Sequence, residues 1–408
     1  MLDRIKRDEL VRGSFILFVM IGFYNVFNYA FQVSMAKMLM PENYGILAVL
    51  MSFIYIFSIP SEAIQTFISR YTSKFNVKKQ HGKIKDMFYK SINRAVKFSL
   101  ILFISFLVLS IYLKNILKID FFLLALTGVF IFSAFLIPIG RGILQGRKEF
   151  FALGFNLISE GAIKFVFAIV LVLLGWKVYG SMIGVLIAEI AVFAMFFIFL
   201  RNVLKSRREK GEFKGIYLDS MKSIIAIASI VLIYSIDIII ARVVFPAKEA
   251  GIYAFVSLIG KVIFFSSSAI GKAMLPIASE SFENGKNTQR ILKKSILLVL
   301  LISIIALFFY LFFPEVVIKL LSLGTEEYLS GSNILFILGL AFSFTSLSYI
   351  LLLYKISINK LSKKIYLILL FVIIEAIALS IFNASLFQFA ISLLIVNIVM
   401  FLYAVFVE

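Results

Sequence analysis

Long runs of apolar residues recur from one end of this chain to the other. The stretch SILLVLLISIIALFFYLFF, residues 295–313, has no charged side chain. As a helix it is long enough to cross a hydrocarbon core of about 30 Å. Hydrophobic residues make up 62% of the chain and charged residues 15%, which excludes an ordinary soluble domain. The strand-length alternation that is typical of transmembrane β-barrels is not seen. The sequence therefore predicts an all-α, polytopic membrane protein.

Twelve spans can be placed along the chain, and the connections between them are short. They are residues 13–36, 44–69, 92–113, 120–140, 151–174, 178–200, 221–244, 251–275, 292–313, 331–353, 365–382 and 386–406. With the N-terminus in the cytoplasm, 32 of the 41 Lys and Arg residues fall on the cytoplasmic side and 7 on the outer side. This asymmetry follows the positive-inside rule, so we expect a plasma-membrane protein with both termini in the cytoplasm. Contact with anionic headgroups of the bilayer then explains the net charge of +19, and we expect no nucleic-acid partner.

The two halves of the sequence resemble each other. MPENYGILAVL follows the first span and is similar to FPAKEAGIYAFV after the seventh, with Gly45 and Gly251 206 positions apart. At the same offset SEAI at 61–64 matches SSAI at 267–270. Because six helices return the chain to the side where it began, the repeats must be parallel. We predict an N-terminal six-helix lobe (1–205), a basic cytoplasmic linker (206–220) and a C-terminal six-helix lobe (221–408), with a substrate cavity between the lobes.

Several predicted helices carry polar side chains at helical spacing, so that these side chains share one face. In the fifth helix they are Asn156, Glu160 and Lys164. Charges at membrane depth cost at least about 2.5–3.5 kcal/mol each, so they normally face protein or water. We therefore expect the polar faces to line one central cavity. The candidate cavity residues are Lys164, Lys261, Glu160, Asn156, Asn25, Asn28, Gln32, Glu62 and Asp237.

The charged residues leave alternatives open. Glu160 and Lys164 are one turn apart and could simply neutralise each other. Lys261 has no acid one turn away in its own helix, which favours a substrate role, whereas a pair with Asp237 would make both structural. Two lone acids in mid-helix are either hydrogen-bond partners between helices or carriers of a coupling ion. These candidate coupling acids are Glu189 and Glu375.

Pro60 interrupts the second span just before Glu62, and a proline there kinks a helix and often marks a moving part of a transporter. The chain has no cysteine and a single histidine, so disulfides, thiol nucleophiles and cysteine-ligated metals are excluded. We expect no catalytic residue, no metal site and no cofactor.

Two stretches resemble signatures of the polysaccharide-biosynthesis flippases, which include the O-antigen flippases. They are RGILQGRKEFFALGFNLISEGAIKFVFAIVLVLLG, and DIIIARVVFPAKEAGIYAFVSLIGKVIFF followed by KAMLPIASESF. These flippases belong to the multidrug/oligosaccharidyl-lipid/polysaccharide exporter (MOP) superfamily. The resemblance implies two parallel bundles that form a V around a cavity lined largely by helices 1, 2, 7 and 8. It also implies a basic residue in helix 5, where Lys164 lies. Multidrug members often rely on an acid in helix 1, and helix 1 here has none.

The resulting hypothesis is a flippase that moves a polyprenyl-diphosphate-linked oligosaccharide from the cytoplasmic to the outer leaflet by alternating access. Lys164 and Lys261, one from each lobe, would hold the diphosphate. Transport would be driven by the membrane potential or by coupling to Na⁺ or H⁺, and polysaccharide polymerase or ligase machinery are expected partners. One alternative is a cation-coupled antiporter of organic cations in the same superfamily. The other is a membrane glycosyltransferase or polymerase, for which the longest outer loop, 314–330, leaves no room for a catalytic domain.

Overall fold

The computed structural model describes residues 2–211, 221–358 and 367–406, and within these ranges the chain forms helices and no strand. The first seven helices are α1 (Leu2–Phe57), α2 (Ser61–Val77), α3 (His81–Leu117), α4 (Phe121–Gly146), α5 (Phe150–Leu171), α6 (Lys177–Phe199) and α7 (Arg201–Lys205). The next seven are α8 (Met221–Val244), α9 (Ala247–Glu283), α10 (Gln289–Phe312), α11 (Pro314–Leu321), α12 (Ser332–Ser357), α13 (Ile368–Ile381) and α14 (Leu386–Phe406). Single helical turns at Val172–Trp176 and Glu326–Gly331 lie before α6 and α12.

Nine stretches of the described residues are long and apolar enough to cross a membrane. Two of them, Val19–Val77 and Phe150–Phe199, each cover most of two of the predicted spans. The shorter apolar helix Ile368–Ile381 corresponds to the eleventh predicted span. The predicted all-α, multi-pass membrane fold is therefore confirmed.

Two interruptions divide the first long stretch. α1 is kinked at Met40, whose φ of 58° lies in the left-handed region, immediately before Pro41. A residue before proline is pushed out of the α-helical region, which accounts for the kink at this position. The second break follows Phe57, and α2 begins at Ser61 with Pro60 as its capping residue. The predicted interruption at Pro60 is thus confirmed.

The surface of the helices carries apolar side chains where a soluble protein would carry polar ones. On α3 the exposed stripe includes Ile101, Ile104, Val108 and Ile111, spaced three or four apart along one face. Contiguous exposed apolar surface of this kind marks a site of contact with lipid or another protein. On helices of membrane-spanning length it is the face that contacts hydrocarbon.

The helices pack into two compact units. One comprises Met1–Met38 and Phe57–Leu218, and the other comprises Leu39–Ile56 and Asp219–Glu408. We call them the first and second unit. The segment Leu39–Ile56, which the sequence assigns to the N-terminal lobe, packs in the second unit. The predicted lobes at 1–205 and 221–408 stay a prediction.

Close helix packing in both units depends on glycine. In the first unit, the GILQG stretch of α4 lets α2 approach, because a Cβ on Gly146 would lie 2.4 Å from the carbonyl oxygen of Ser69. In the second unit, the repeat-related glycines meet each other, and a Cβ on Gly45 would lie 3.0 Å from the α-carbon of Gly251. Nearby, Tyr44 is 1% exposed and packs edge-on against the rings of Phe255 and Tyr328. These contacts explain why the second half of α1 belongs to the second unit.

Candidate functional site

The polar face of α5 meets an arginine of α4 in the first unit. The Arg141 Nη2 donates to Glu160 Oε2 in an ion pair, and the Arg141 Nε donates to Asn156 Oδ1 at 3.0 Å. Asn156 is fully buried and uses its amide nitrogen to donate to the Val192 carbonyl at 3.0 Å. Asn156 and Glu160 therefore share one face, as their spacing of four residues predicts. Both the oxygen and the nitrogen of the Asn156 amide are used within the protein.

Two side chains of α1 complete this group. The Tyr24 hydroxyl donates to Glu160 Oε1 at 3.0 Å. The Lys164 ammonium donates to Asn28 Oδ1 and lies 5.0 Å from the centre of the Phe31 ring. The Asn28 amide nitrogen donates to the Tyr24 carbonyl at 2.9 Å, which fixes the orientation of the amide. We call Tyr24, Asn28, Arg141, Glu160 and Lys164 the Arg141 cluster.

The contacts of the cluster bear on one of the alternatives that the sequence leaves open, namely that Glu160 and Lys164 neutralise each other. Glu160 forms its ion pair with Arg141, and within the described ranges Lys164 is in no ion pair. The Lys164 ammonium is instead held by a neutral amide and an aromatic face, and its side chain is half-buried. Glu189 of α6 is close enough for its charge to act on both Arg141 and Lys164. The cluster thus holds two cations whose charge is balanced directly by one carboxylate.

Arg141 is a residue of the site that the sequence analysis does not find. Hydropathy places it in a cytoplasmic loop, because the fourth predicted span ends at residue 140. The structure continues α4 to Gly146, so Arg141 lies inside the helix, three residues after Pro138. The sequence feature that indicates a helical position for Arg141 is the apolar stretch FLIPIGRGIL around it, because loops are usually more polar than this.

The other predicted residues of the first unit are Asn25, Gln32 and Glu62. Asn25 is exposed on α1, one residue beyond Tyr24. Gln32 is buried on α1, one turn after Asn28. Glu62 is exposed in the first turn of α2.

In the second unit, Lys261 and Asp237 form a closed ion pair. The Lys261 ammonium lies 2.9 Å from Asp237 Oδ1, and the two side chains are 3% and 0% exposed. The other oxygen of Asp237 accepts from the hydroxyl of Ser257 at 2.7 Å and from that of Tyr253 at 3.2 Å. The Lys261 ammonium also lies 5.2 Å from the centre of the Phe342 ring. The structure therefore supports the interpretation that Lys261 and Asp237 form a structural pair.

The second lone acid, Glu375, lies on α13 in the same unit. Its side chain is fully buried, and the charges that act on it are those of Asp237 and Lys261. Within the described residues no group of three or more His, Cys, Asp or Glu side chains is placed to hold a metal ion.

A family model described as "Polysaccharide biosynthesis protein" matches residues 34–330. The chain belongs to this family. The match covers most of the chain and contains every residue of the Arg141 cluster except the two on α1, as well as both partners of the ion pair in the second unit. The resemblance found in the sequence is confirmed.

A relative from the archaeon Methanocaldococcus jannaschii supports the membrane assignment. The protein described as uncharacterized membrane protein MJ1375 is 28% identical over 207 residues, which cover 46% of this chain and 48% of that protein. The match thus spans about half the length of that relative.

Solved structures show the fold. The inward-facing conformation of a multidrug resistance MATE family transporter of the MOP superfamily matches 93% of both chains with a TM-score of 0.76 at 14% identity. A MOP superfamily transporter from Pyrococcus furiosus, described as having a binding pocket of reverse polarity, matches 97% of this chain and 94% of its own, with a TM-score of 0.60 at 14% identity. The MATE multidrug transporter DinF-BH matches 98% of this chain and 94% of its own, with a TM-score of 0.65 at 15% identity. This polysaccharide biosynthesis family member is a multi-pass membrane protein with the fold of the MOP superfamily of transporters and flippases.

Proposed function

We propose that this protein flips a polyprenyl-diphosphate-linked oligosaccharide from the cytoplasmic to the outer leaflet of the plasma membrane. Family membership and the MOP fold support a transport role in polysaccharide assembly rather than catalysis. The positive-inside distribution of Lys and Arg supports cytoplasmic termini. The inside-negative membrane potential favours outward movement of a negative charge by about 2.3 kcal/mol per 100 mV, so it would help to drive the diphosphate outward.

The observation that carries this proposal is the environment of Lys164. A lysine at membrane depth is costly, and a purely structural one is normally paired with an acid. Lys164 instead contacts the Asn28 amide and the Phe31 ring, neither of which neutralises its charge. The Glu160 and Glu189 carboxylates act on its charge, but within the described ranges neither forms an ion pair with it, so the ammonium can still donate to an anion. A diphosphate is a strong acceptor of charge-assisted hydrogen bonds.

Arg141 and Glu160 support the Lys164 site rather than compete with it. The Arg141–Glu160 ion pair occupies the carboxylate that would otherwise neutralise Lys164 from one turn away. The Arg141 guanidinium is itself committed to Glu160 and Asn156, so its role at the site is to hold these two side chains. The sequence-based role of Lys261 is revised accordingly, because its ammonium is committed to Asp237, and we assign it to the second unit's internal structure.

A deletion strain tests the function directly. Loss of the gene should cause the lipid-linked oligosaccharide to accumulate on the cytoplasmic leaflet, and the wild-type gene should reverse this. Lys164→Gln should fail to complement, and Lys164→Arg should restore flipping because it keeps the charge. Lys114→Gln, which removes an exposed lysine near the end of α3, is the matched control and should complement fully.

The size of the effect can be measured in proteoliposomes. Lipid-linked oligosaccharide isolated from the deletion strain is incorporated, and its arrival in the outer leaflet is followed with a membrane-impermeant glycosidase. A lost hydrogen bond to a charged group is worth about 1.5–3 kcal/mol, so Lys164→Gln should slow flipping roughly 10- to 100-fold. Full activity of Lys164→Gln would refute the role of Lys164, whereas absence of flipping by the wild-type protein would refute the flippase proposal and leave the organic-cation antiporter as the better hypothesis.

A further inference from the structure

Glu375 is a buried acid of the second unit whose carboxyl group accepts no hydrogen bond from the described residues. It is fully buried on α13, and neither of its carboxyl oxygens has a hydrogen-bond partner. Asp237 is equally buried but accepts hydrogen bonds from Lys261, Ser257 and Tyr253. Both carboxyls lie in the second unit and are acted on by the same ammonium, yet Asp237 accepts three hydrogen bonds and Glu375 has no hydrogen-bond donor in the described part of the chain.

The charged neighbours of Glu375 come from two helices. The charges of Asp237 on α8 and Lys261 on α9 act on Glu375, and the charge of Glu375 acts on Tyr253 of α9. α14 also packs on α13; its described sequence has Tyr403 as its titratable side chain, and that ring packs on Phe371. α13 itself carries no other acid or base. The local balance is therefore two carboxyls against one ammonium.

This balance of charges determines whether the Glu375 carboxyl is protonated or ionised. Burial of an ionised carboxylate with no hydrogen-bond donor is far more costly than burial of the neutral acid. The single ammonium is already committed to Asp237, 2.9 Å away, and cannot neutralise both carboxylates. A proton is the smallest cation that removes the excess negative charge, and it needs no further ligand.

We propose that Glu375 is a proton-binding site and that Lys261 is shared between Asp237 and Glu375 according to whether the proton is present. With the proton on the Glu375 carboxyl, the Lys261 ammonium stays on Asp237, as in this structure. When the O–H bond of Glu375 breaks, the proton leaves to water, the electron pair stays on the carboxylate, and the ammonium moves to lie between two carboxylates. The ligand is a proton, and the responding element is one lysine side chain of α9.

Infrared difference spectroscopy of the purified protein in lipid nanodiscs tests this site without any substrate. The wild-type protein at neutral pH should show the carbonyl stretch of a protonated, deuterium-exchangeable carboxylic acid. Glu375→Gln should lose that band, and Glu280→Gln, which removes an exposed carboxyl of α9, should keep it. Because the difference is taken against Glu375→Gln, a contribution from Glu189 or any other acid cancels.

Two further variants test the sharing of Lys261 and do not depend on the folding of Glu375→Gln. Asp237→Asn leaves Glu375 as the available carboxyl for the Lys261 ammonium, so the carboxylic acid band should disappear although Glu375 itself is intact. Lys261→Met removes the ammonium that would stabilise the ionised Glu375 carboxylate, so the band should keep its full amplitude at an alkaline pH at which the wild-type band has declined. A band that persists in Asp237→Asn, or one that declines in Lys261→Met at the same pH as in the wild type, would overturn the proposal. Because no substrate is present, the outcome is independent of whether the protein is a flippase.

Discussion

The Arg141–Glu160 ion pair offers a direct test of how the first unit is held together. Arg141→Met removes the guanidinium and leaves the Glu160 carboxylate with the Tyr24 hydroxyl as its described hydrogen-bond donor. It also removes the donor to Asn156 Oδ1, which is buried. We expect a strong loss of stability, because the Glu160 carboxylate loses its ion-pair partner in a water-poor environment and is left with Lys164, one turn away, as the cation that acts on its charge.

The magnitude follows from the burial of the two groups. The side chains of Arg141 and Glu160 are 14% and 11% exposed, so solvent screens the pair only weakly. Removal of one partner from a buried pair costs about 3–5 kcal/mol. The remaining hydrogen bond from Tyr24 favours the lower end of that range, whereas the lost bond to Asn156 adds about 1 kcal/mol. We therefore expect Arg141→Met to lower the free energy of unfolding by about 3–5 kcal/mol.

The assay is reversible unfolding in mixed micelles with increasing SDS, followed by circular dichroism, on four proteins. They are the wild type, Arg141→Met, Glu160→Gln and the double variant. The double variant removes both charges, so it should be markedly more stable than the sum of the single losses predicts, with a coupling of at least about 1.5 kcal/mol. Strictly additive losses would refute the conclusion that the two side chains depend on each other.

Two further predictions concern packing and the linker. Gly251→Ala would place a Cβ 1.7 Å from the carbonyl oxygen of Pro41, so it should lower the thermal midpoint and the yield of folded protein, whereas Gly22→Ala, with open space around it, should change neither. Asp86→Asn should weaken the attachment of the linker, because Asp86 accepts from Arg208 at 2.7 Å and from the Gly211 backbone at 3.1 Å. Trypsin should then cleave after Arg208 several-fold faster, and an unchanged cleavage rate would contradict this role.

Much of the fold can be predicted from local patterns in the sequence. Each span is a run of apolar residues long enough to cross the bilayer, and this property belongs to the segment alone. Pro60 ends a helix because it lacks an N–H group, and this effect can be predicted without knowledge of the tertiary contacts. The common face of Asn156 and Glu160 follows from the period of the helix.

The partners of the charged side chains cannot be read in the same way. Glu160 pairs with Arg141, 19 residues away, and accepts from Tyr24, 136 residues away, although Lys164 is the nearer base in sequence. The close approach of α4, α5 and α1 decides these contacts, and it depends on the shape of the packed helices. The position of Arg141 within α4 is not predicted either, because a span drawn from hydropathy ends where the first charge appears.

The sequence alone determined that this chain is an all-helical membrane protein, because hydropathy and helical period are properties of neighbouring residues. Tertiary structure alone decided that Lys261 is closed in a pair with Asp237, that Lys164 is held without a carboxylate, and that Glu375 is left with no donor. An ion pair forms between the groups that packing brings within a few ångströms, and in this protein those groups come from different helices.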